Sequence, residues 1–195
     1  MLTYLRLCAL GAMLSVAATL GAPAFGAECL QAKFADNVKA GDADLVLNGL
    51  GIRKATFLAV KVYVAGLYLP KKSSDAGQIL GAGGPWQLVL RFVHSVDASD
   101  IRGAFKEGLE NNAGDKLAAL RPQIDSLDAQ MVDFKDGQYL SFTSDPPKGI
   151  TVDANGASGS AIAGADFATA LLSIWIGPKP PNVDIKSGLL GGACK

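Results

Sequence analysis

Charge is scarce in this 195-residue chain: Asp, Glu, Lys and Arg make up 18%, with 18 basic against 18 acidic side chains. That even balance excludes the basic surface nucleic-acid binding requires. A hydrophobic content of 49% excludes a disordered chain. Histidine occurs once, at His94, and no Cys-x-x-Cys is present, so no metal site is expected. There is no G-x-S-x-G, P-loop or H-E-x-x-H, and the scattered acidic residues offer no pair suited to glycoside hydrolysis. No cofactor is expected either. Residues 28–195 contain no long linker, repeat or low-complexity block and read as one domain. Against this charge-poor background the mean hydropathy is positive, +0.25.

Part of that excess lies at the start. Residues 1–27 read MLTYLRLCALGAMLSVAATLGAPAFGA: one charge, Arg6, then an apolar run from Leu7 to Ala22 and an exit of small residues. This is the pattern of a secretory signal peptide, with cleavage after Gly26 or Ala27. A membrane anchor is the alternative, and the early position and small-residue exit argue against it. Glu28 before Cys29 argues against a lipoprotein. Once the leader is removed no integral membrane domain is expected, and the location is periplasmic or secreted. Of three cysteines, Cys8 leaves with the leader, while Cys29 and Cys194 stand at the two ends of what remains. Termini of compact domains often lie close, so the two can pair in an oxidising compartment. The alternative is two unpaired thiols.

The remaining pattern is α+β. Leu45–Leu47 reads as a short strand ended by Asn48-Gly49, and Phe57–Leu69 as a long one, apolar on both faces. Trp86–Val96 is a further strand, with Trp86, Leu88, Leu90, Phe92 and His94 on one face. Asp97 and Ser99 can cap a helix in which Ile101, Ala104, Phe105, Gly108 and Leu109 repeat at helical spacing. A helix over about Lys116–Leu127, perturbed by Pro122, comes next. Short strands follow at Met131–Phe134, Tyr139–Thr143 and Ile150–Asp153, then helices at Ala165–Ile176 and about Val183–Leu190. The expectation is an antiparallel sheet packed against helices.

His94, in phase with Trp86 to Phe92, reads as a hydrogen-bonded strand-end residue rather than a catalytic one. Chemistry is more concentrated in Leu47–Leu69, LNGLGIRKATFLAVKVYVAGLYL. If Arg53 lies on a strand paired with the next, its guanidinium can share a face with Lys61 and Tyr63. A guanidinium in an apolar cleft suits bidentate binding of a carboxylate, or stabilisation of an enolate oxygen. The alternative makes Arg53 and Lys61 solvated surface charges and Tyr63 a core filler.

The segment LNGLGIRKATFLAVKVYVAGLYLP resembles the signature of chalcone isomerase-like proteins, especially their exported bacterial branch. The tail FATALLSIWIGPKPPNVDIKSGLLG resembles that branch's C-terminal helix, and DANGASGSAIAGADF the turn before it. The likeness covers nearly all of residues 45–191. It implies an open-faced β-sandwich, a large antiparallel sheet and a helical layer enclosing a ligand cleft. Plant members cyclise a chalcone, using a cleft arginine to stabilise the anionic oxygen, helped by a threonine on the next strand and a tyrosine and asparagine on a helix. Non-enzymatic members bind fatty acids, an arginine and a tyrosine holding the carboxylate. By resemblance Arg53 takes the arginine's place and Tyr63 the threonine's. The helix tyrosine and asparagine fall near Ile101 and Gly108, which lack the polar groups. A further contacting position falls on Ser173 or Ile174.

Three readings follow. The first is an exported protein binding a small apolar ligand with an anionic group, fatty-acid-like, through Arg53, Tyr63 and Lys61. The second is an isomerase or intramolecular lyase acting on a chalcone-like enone, with Arg53 and Tyr63 catalytic. The third is a non-catalytic structural or partner-binding protein whose cleft is filled by side chains.

Overall fold

The computed structural model describes residues 25–55, 58–146 and 148–195. Most of the expected leader, residues 1–24, lies outside them. Two long neighbouring strands organise the rest. Strand β4 (Ala43–Ala55) runs antiparallel to β5 (Val60–Leu69), and the sequence from Leu45 onward supplies the apolar side chains that bury them. They lie in a seven-stranded antiparallel sheet ordered as in the sequence. It begins with β3 (Asn37–Ala40) and continues past β5 to β6 (Trp86–Phe92), β7 (Tyr139–Asp145), β8 (Gly149–Ala154) and β9 (Ala157–Ser158). A separate hairpin, β1 (Phe25–Cys29) and β2 (Ala32–Ala35), lies apart from this sheet.

Both faces of the sheet are covered, as the doubly apolar β5 requires. On one face the helices α2 (Ala98–Asn112), α3 (Arg121–Asp128), α4 (Ala165–Ile176) and α5 (Val183–Leu189) bury the main core, including Leu67, Leu88, Leu90, Phe142 and Trp175. On the other, Phe34 of the hairpin packs with Leu45, Val64 and Tyr68. Tyr68 donates its hydroxyl to the Ala35 carbonyl at 3.0 Å, joining hairpin to sheet. A short helix, α1 (Ala76–Gly81), precedes β6, its first turn capped by Asp75. The chain ends are tied by a disulfide between Cys29 and Cys194, with Cα atoms 6.4 Å apart.

Several elements differ from the expectations for physical reasons. The strand expected at Leu45–Leu47 continues to Ala55, because Asn48 is accommodated as a bulge where the register shifts between Leu47 and Gly49. The Asn48 amide is buried and satisfied: it donates to the Leu189 and Ser73 carbonyls at 2.7 and 3.0 Å and accepts from the Ser73 N–H at 2.8 Å. Gly51 permits the close approach of α5, since a Cβ there would stand 2.4 Å from the Ile185 carbonyl oxygen.

Pro122 sits in the first turn of α3, where its missing N–H costs nothing, so it starts a helix rather than perturbing one. Residues 131–134 contribute only a bridge, Phe134 to Val96. Strand β6 stops at Phe92, which leaves His94 exposed instead of in phase with the buried row. The α2 N-terminus is capped from outside its own segment: Asp133 accepts from the Ala98 N–H at 2.8 Å, and Asp97 makes no side-chain cap. Helix α4 spans the residues expected. Among the described residues no helix is long and apolar enough to cross a membrane.

Candidate functional site

A cavity of about 680 Å³ opens between the sheet and α2. That volume lies in the range of small-molecule sites, roughly 300–1,000 Å³. Its floor is made by the ends of β4, β5 and β6, with Arg53, Val62, Tyr63, Leu90 and Phe92. Its roof is the α2 face carrying Ile101, Gly103, Ala104, Phe105 and Gly108. Small residues at 103, 104 and 108 leave the space open. His94, Asp100, Glu107 and Asn111 add polar groups to the lining, and Lys179, Pro180 and Pro181 form a side wall.

Arg53 and Tyr63 are direct partners across the β4–β5 pair, so their side chains share a face. Arg53 is half-buried; its Nη1 donates to the Lys54 carbonyl, and among the described residues it has no ion pair. Tyr63 is 8% exposed. Its hydroxyl oxygen accepts from the Trp175 indole N–H at 2.9 Å, and no described residue accepts its proton. Burial pushes the Tyr63 pKa up, opposed in smaller measure by the Trp175 hydrogen bond and the nearby Arg53 charge. At neutral pH the residue is therefore a phenol whose oxygen accepts from Trp175 and whose O–H is not taken up by any described residue. A guanidinium and an O–H donor thus converge on one apolar cavity, a combination suited to an oxyanion.

Lys61 is not brought to this site. It is exposed and does not line the cavity. The reason is a second bulge: the register shifts between Arg53 and Lys54, so that Arg53 pairs with Tyr63 but Lys54 pairs with Lys61. Val62 is the extra residue on β5. Beyond it the alternation inverts, so that Val60 and Val62 line the cavity and Lys61 faces away. Strict alternation, assumed from sequence, cannot anticipate that inversion. Lys54 is also engaged elsewhere, at 2.7 Å from Asp184.

The residues at the positions of the plant helix groups, Ile101 and Gly108, line the cavity and add no polar side chain. At 108 none fits without rearrangement: a Cβ there would stand 2.6 Å from Cγ2 of Ile174. Ile174 lines the cavity, while Ser173 is buried and donates to the Ala170 carbonyl at 2.6 Å.

Sequence reasoning missed three residues that shape the site. Trp175 orients Tyr63. Asn112 donates to the Lys179 carbonyl and accepts from the Lys179 N–H, both at 2.9 Å. Asn182 donates to the Ile52 carbonyl at 3.1 Å and accepts from the Lys54 N–H at 3.2 Å. These two asparagines pin the wall segment 179–182 to α2 at one end and beside Arg53 at the other. Their only signal was placement at helix boundaries, where asparagine is common for many reasons.

Comparison with known proteins agrees with this architecture. Among solved structures, the chain is similar to a fatty-acid binding protein from Arabidopsis thaliana, with 17% identity and a TM-score of 0.66 over 83% of this chain and 92% of that one. A comparison with curated proteins returned no match. The family model described as chalcone isomerase-like matches residues 26–191, and with that span the chain belongs to the chalcone isomerase-like family.

Proposed function

We propose that this is an exported protein that binds a small apolar ligand by an anionic group, with a fatty-acid-like carboxylate as the model ligand. The observation that carries the reading is the Arg53–Tyr63 pair: a guanidinium with no ion pair among the described residues, beside a neutral phenol whose oxygen already accepts from Trp175. Burying a carboxylate requires such donors, because an unpaired charge in an apolar cavity is strongly disfavoured. The valine, leucine, phenylalanine and isoleucine lining suits the ligand's apolar part. The Arabidopsis neighbour, described as a fatty-acid binding protein, supports the same ligand class.

A periplasmic or secreted location is part of the proposal. It rests on the leader-like residues 1–27 and on the Cys29–Cys194 disulfide, which needs an oxidising compartment. Cleavage after Gly26 or Ala27 would shorten β1 but keep Glu28 and Cys29 paired with Lys33 and Ala32.

The isomerase reading draws on the same pair, since Arg53 and Tyr63 can equally face an enolate oxygen. It receives no polar partner from Ile101 or Gly108. Native mass spectrometry of protein from its own host separates the cases. The expected spectrum shows a co-purifying acyl-carboxylate adduct that Arg53→Ala loses. Unchanged occupancy in that variant overturns the anion-site reading, and chalcone cyclisation above background would favour the isomerase.

A further inference from the structure

On the sheet's opposite face lies a second opening, about 520 Å³, between the β1–β2 turn, the end of β6 and the 136–137 turn. Arg91 of β6 reaches into it. The guanidinium carbon lies over two aromatic rings, 5.6 Å from the Phe34 centroid and 5.8 Å from that of Tyr139. Its Nε is buried with no hydrogen-bond partner, and among the described residues Arg91 forms no ion pair. Stacking engages the faces of a guanidinium and leaves the Nε–H donor unmet. A buried donor left in this condition is uncommon in folded proteins.

Lys33 of β2 lines the same opening, and its cross-strand neighbour Glu28 makes no ion pair with it. One carboxylate, Asp136, also lies in the lining, without an ion pair among the described residues. The covering turn is itself costly. Leu30 and Gln31 both have positive φ, 49° and 66°, in a conformation normally left to glycine or asparagine. The adjacent Cys29 anchors it through the disulfide.

We propose that this opening is a second anion site, distinct from the Arg53 cavity, in which Arg91 and Lys33 receive a compact oxyanion: a phosphate, or the carboxylate of a small organic acid. The Arg91 fork, aligned by Phe34 and Tyr139, supplies directional donors, and Lys33 supplies charge. Asp136 disfavours highly charged ligands and keeps the affinity modest.

The test is an NMR titration of the arginine Nε–H resonances with inorganic phosphate, and separately with acetate, at constant ionic strength set by chloride. The Arg91 Nε–H signal is expected to move saturably with at least one of the two, and the tighter one identifies the oxyanion. Lys33→Gln, an exposed substitution that preserves the fold, is expected to weaken that binding about two- to fivefold. Arg91→Gln, which removes that resonance and is followed instead by the backbone amide shifts of Lys33 and Gly137, is expected to weaken it more than about tenfold. An Arg91 signal that neither anion moves, or an affinity unchanged in Lys33→Gln, overturns the proposal.

Discussion

The substitution Gly108→Ala is expected to change sign with its neighbour. In an isolated helix, replacing an interior glycine by alanine stabilises by about 0.5–1 kcal/mol, and Gly108 lies well inside α2. Here the new methyl would stand 2.6 Å from Cγ2 and 3.1 Å from Cγ1 of Ile174, both well inside contact distance. Ile174 is 2% exposed and cannot swing away freely. Overpacking of this kind costs about 1–3 kcal/mol, so the net expectation in the natural background is a loss of about 1 kcal/mol, and at most roughly 2.5 kcal/mol. Removing the obstacle reverses this. Ile174→Ala alone costs about 2–5 kcal/mol, but in that background Gly108→Ala should regain about 0.5–1 kcal/mol. Urea unfolding of the four proteins reads the cycle directly, provided the m-values agree. Gly108→Ala that stabilises the natural protein, or costs the same with and without Ile174, would refute the packing argument. It would also remove the physical reason for the absence of a polar helix side chain at this point of the cavity.

Two further outcomes concern the opposite face and the chain ends. Burial raises the Tyr68 hydroxyl to about 12, while the unfolded chain titrates near 10. The folded state therefore holds that proton more tightly. The associated stability is complete below about pH 10 and falls as pH rises toward 12, by about 3 kcal/mol. Alkaline unfolding should show this loss, and Tyr68→Phe, which forfeits about 1 kcal/mol with the Ala35 bond, should flatten it; an identical alkaline slope in the variant would be contrary. Reducing the Cys29–Cys194 bridge, which spans 165 residues, should lower stability by about 2–5 kcal/mol. Matching urea midpoints before and after reduction would show that the bridge carries no such constraint.

The parts of the fold legible in the sequence were those whose burial alternates simply. Trp86, Leu88, Leu90 and Phe92 form a buried row, and the apolar residues of Ala165–Ile176 announce α4. The hairpin β1–β2 was hidden because its turn, Leu30-Gln31, carries no turn chemistry and its strands are short. Within the site, Arg53 and Tyr63 were legible from spacing and from the family resemblance, while the Lys61 position was not. A single extra residue, Val62, decides which way Lys61 points, and bulges leave no dependable mark in composition. Trp175 was visible as a core residue, but its bond to Tyr63 joins residues 112 positions apart and follows only from the packing of α4 over β5.

The central claim, that Arg53 holds a ligand's anionic group inside an apolar cavity, is tested most directly by calorimetric titration with a long-chain carboxylate and the matching alcohol. For the natural protein the carboxylate should bind more than about tenfold tighter than the alcohol, a charge-assisted contact contributing about 1.5–3 kcal/mol. Arg53→Gln should abolish that preference and leave alcohol binding nearly unchanged. Equal affinities for both ligands in the natural protein, or a carboxylate preference that survives Arg53→Gln, would contradict the account.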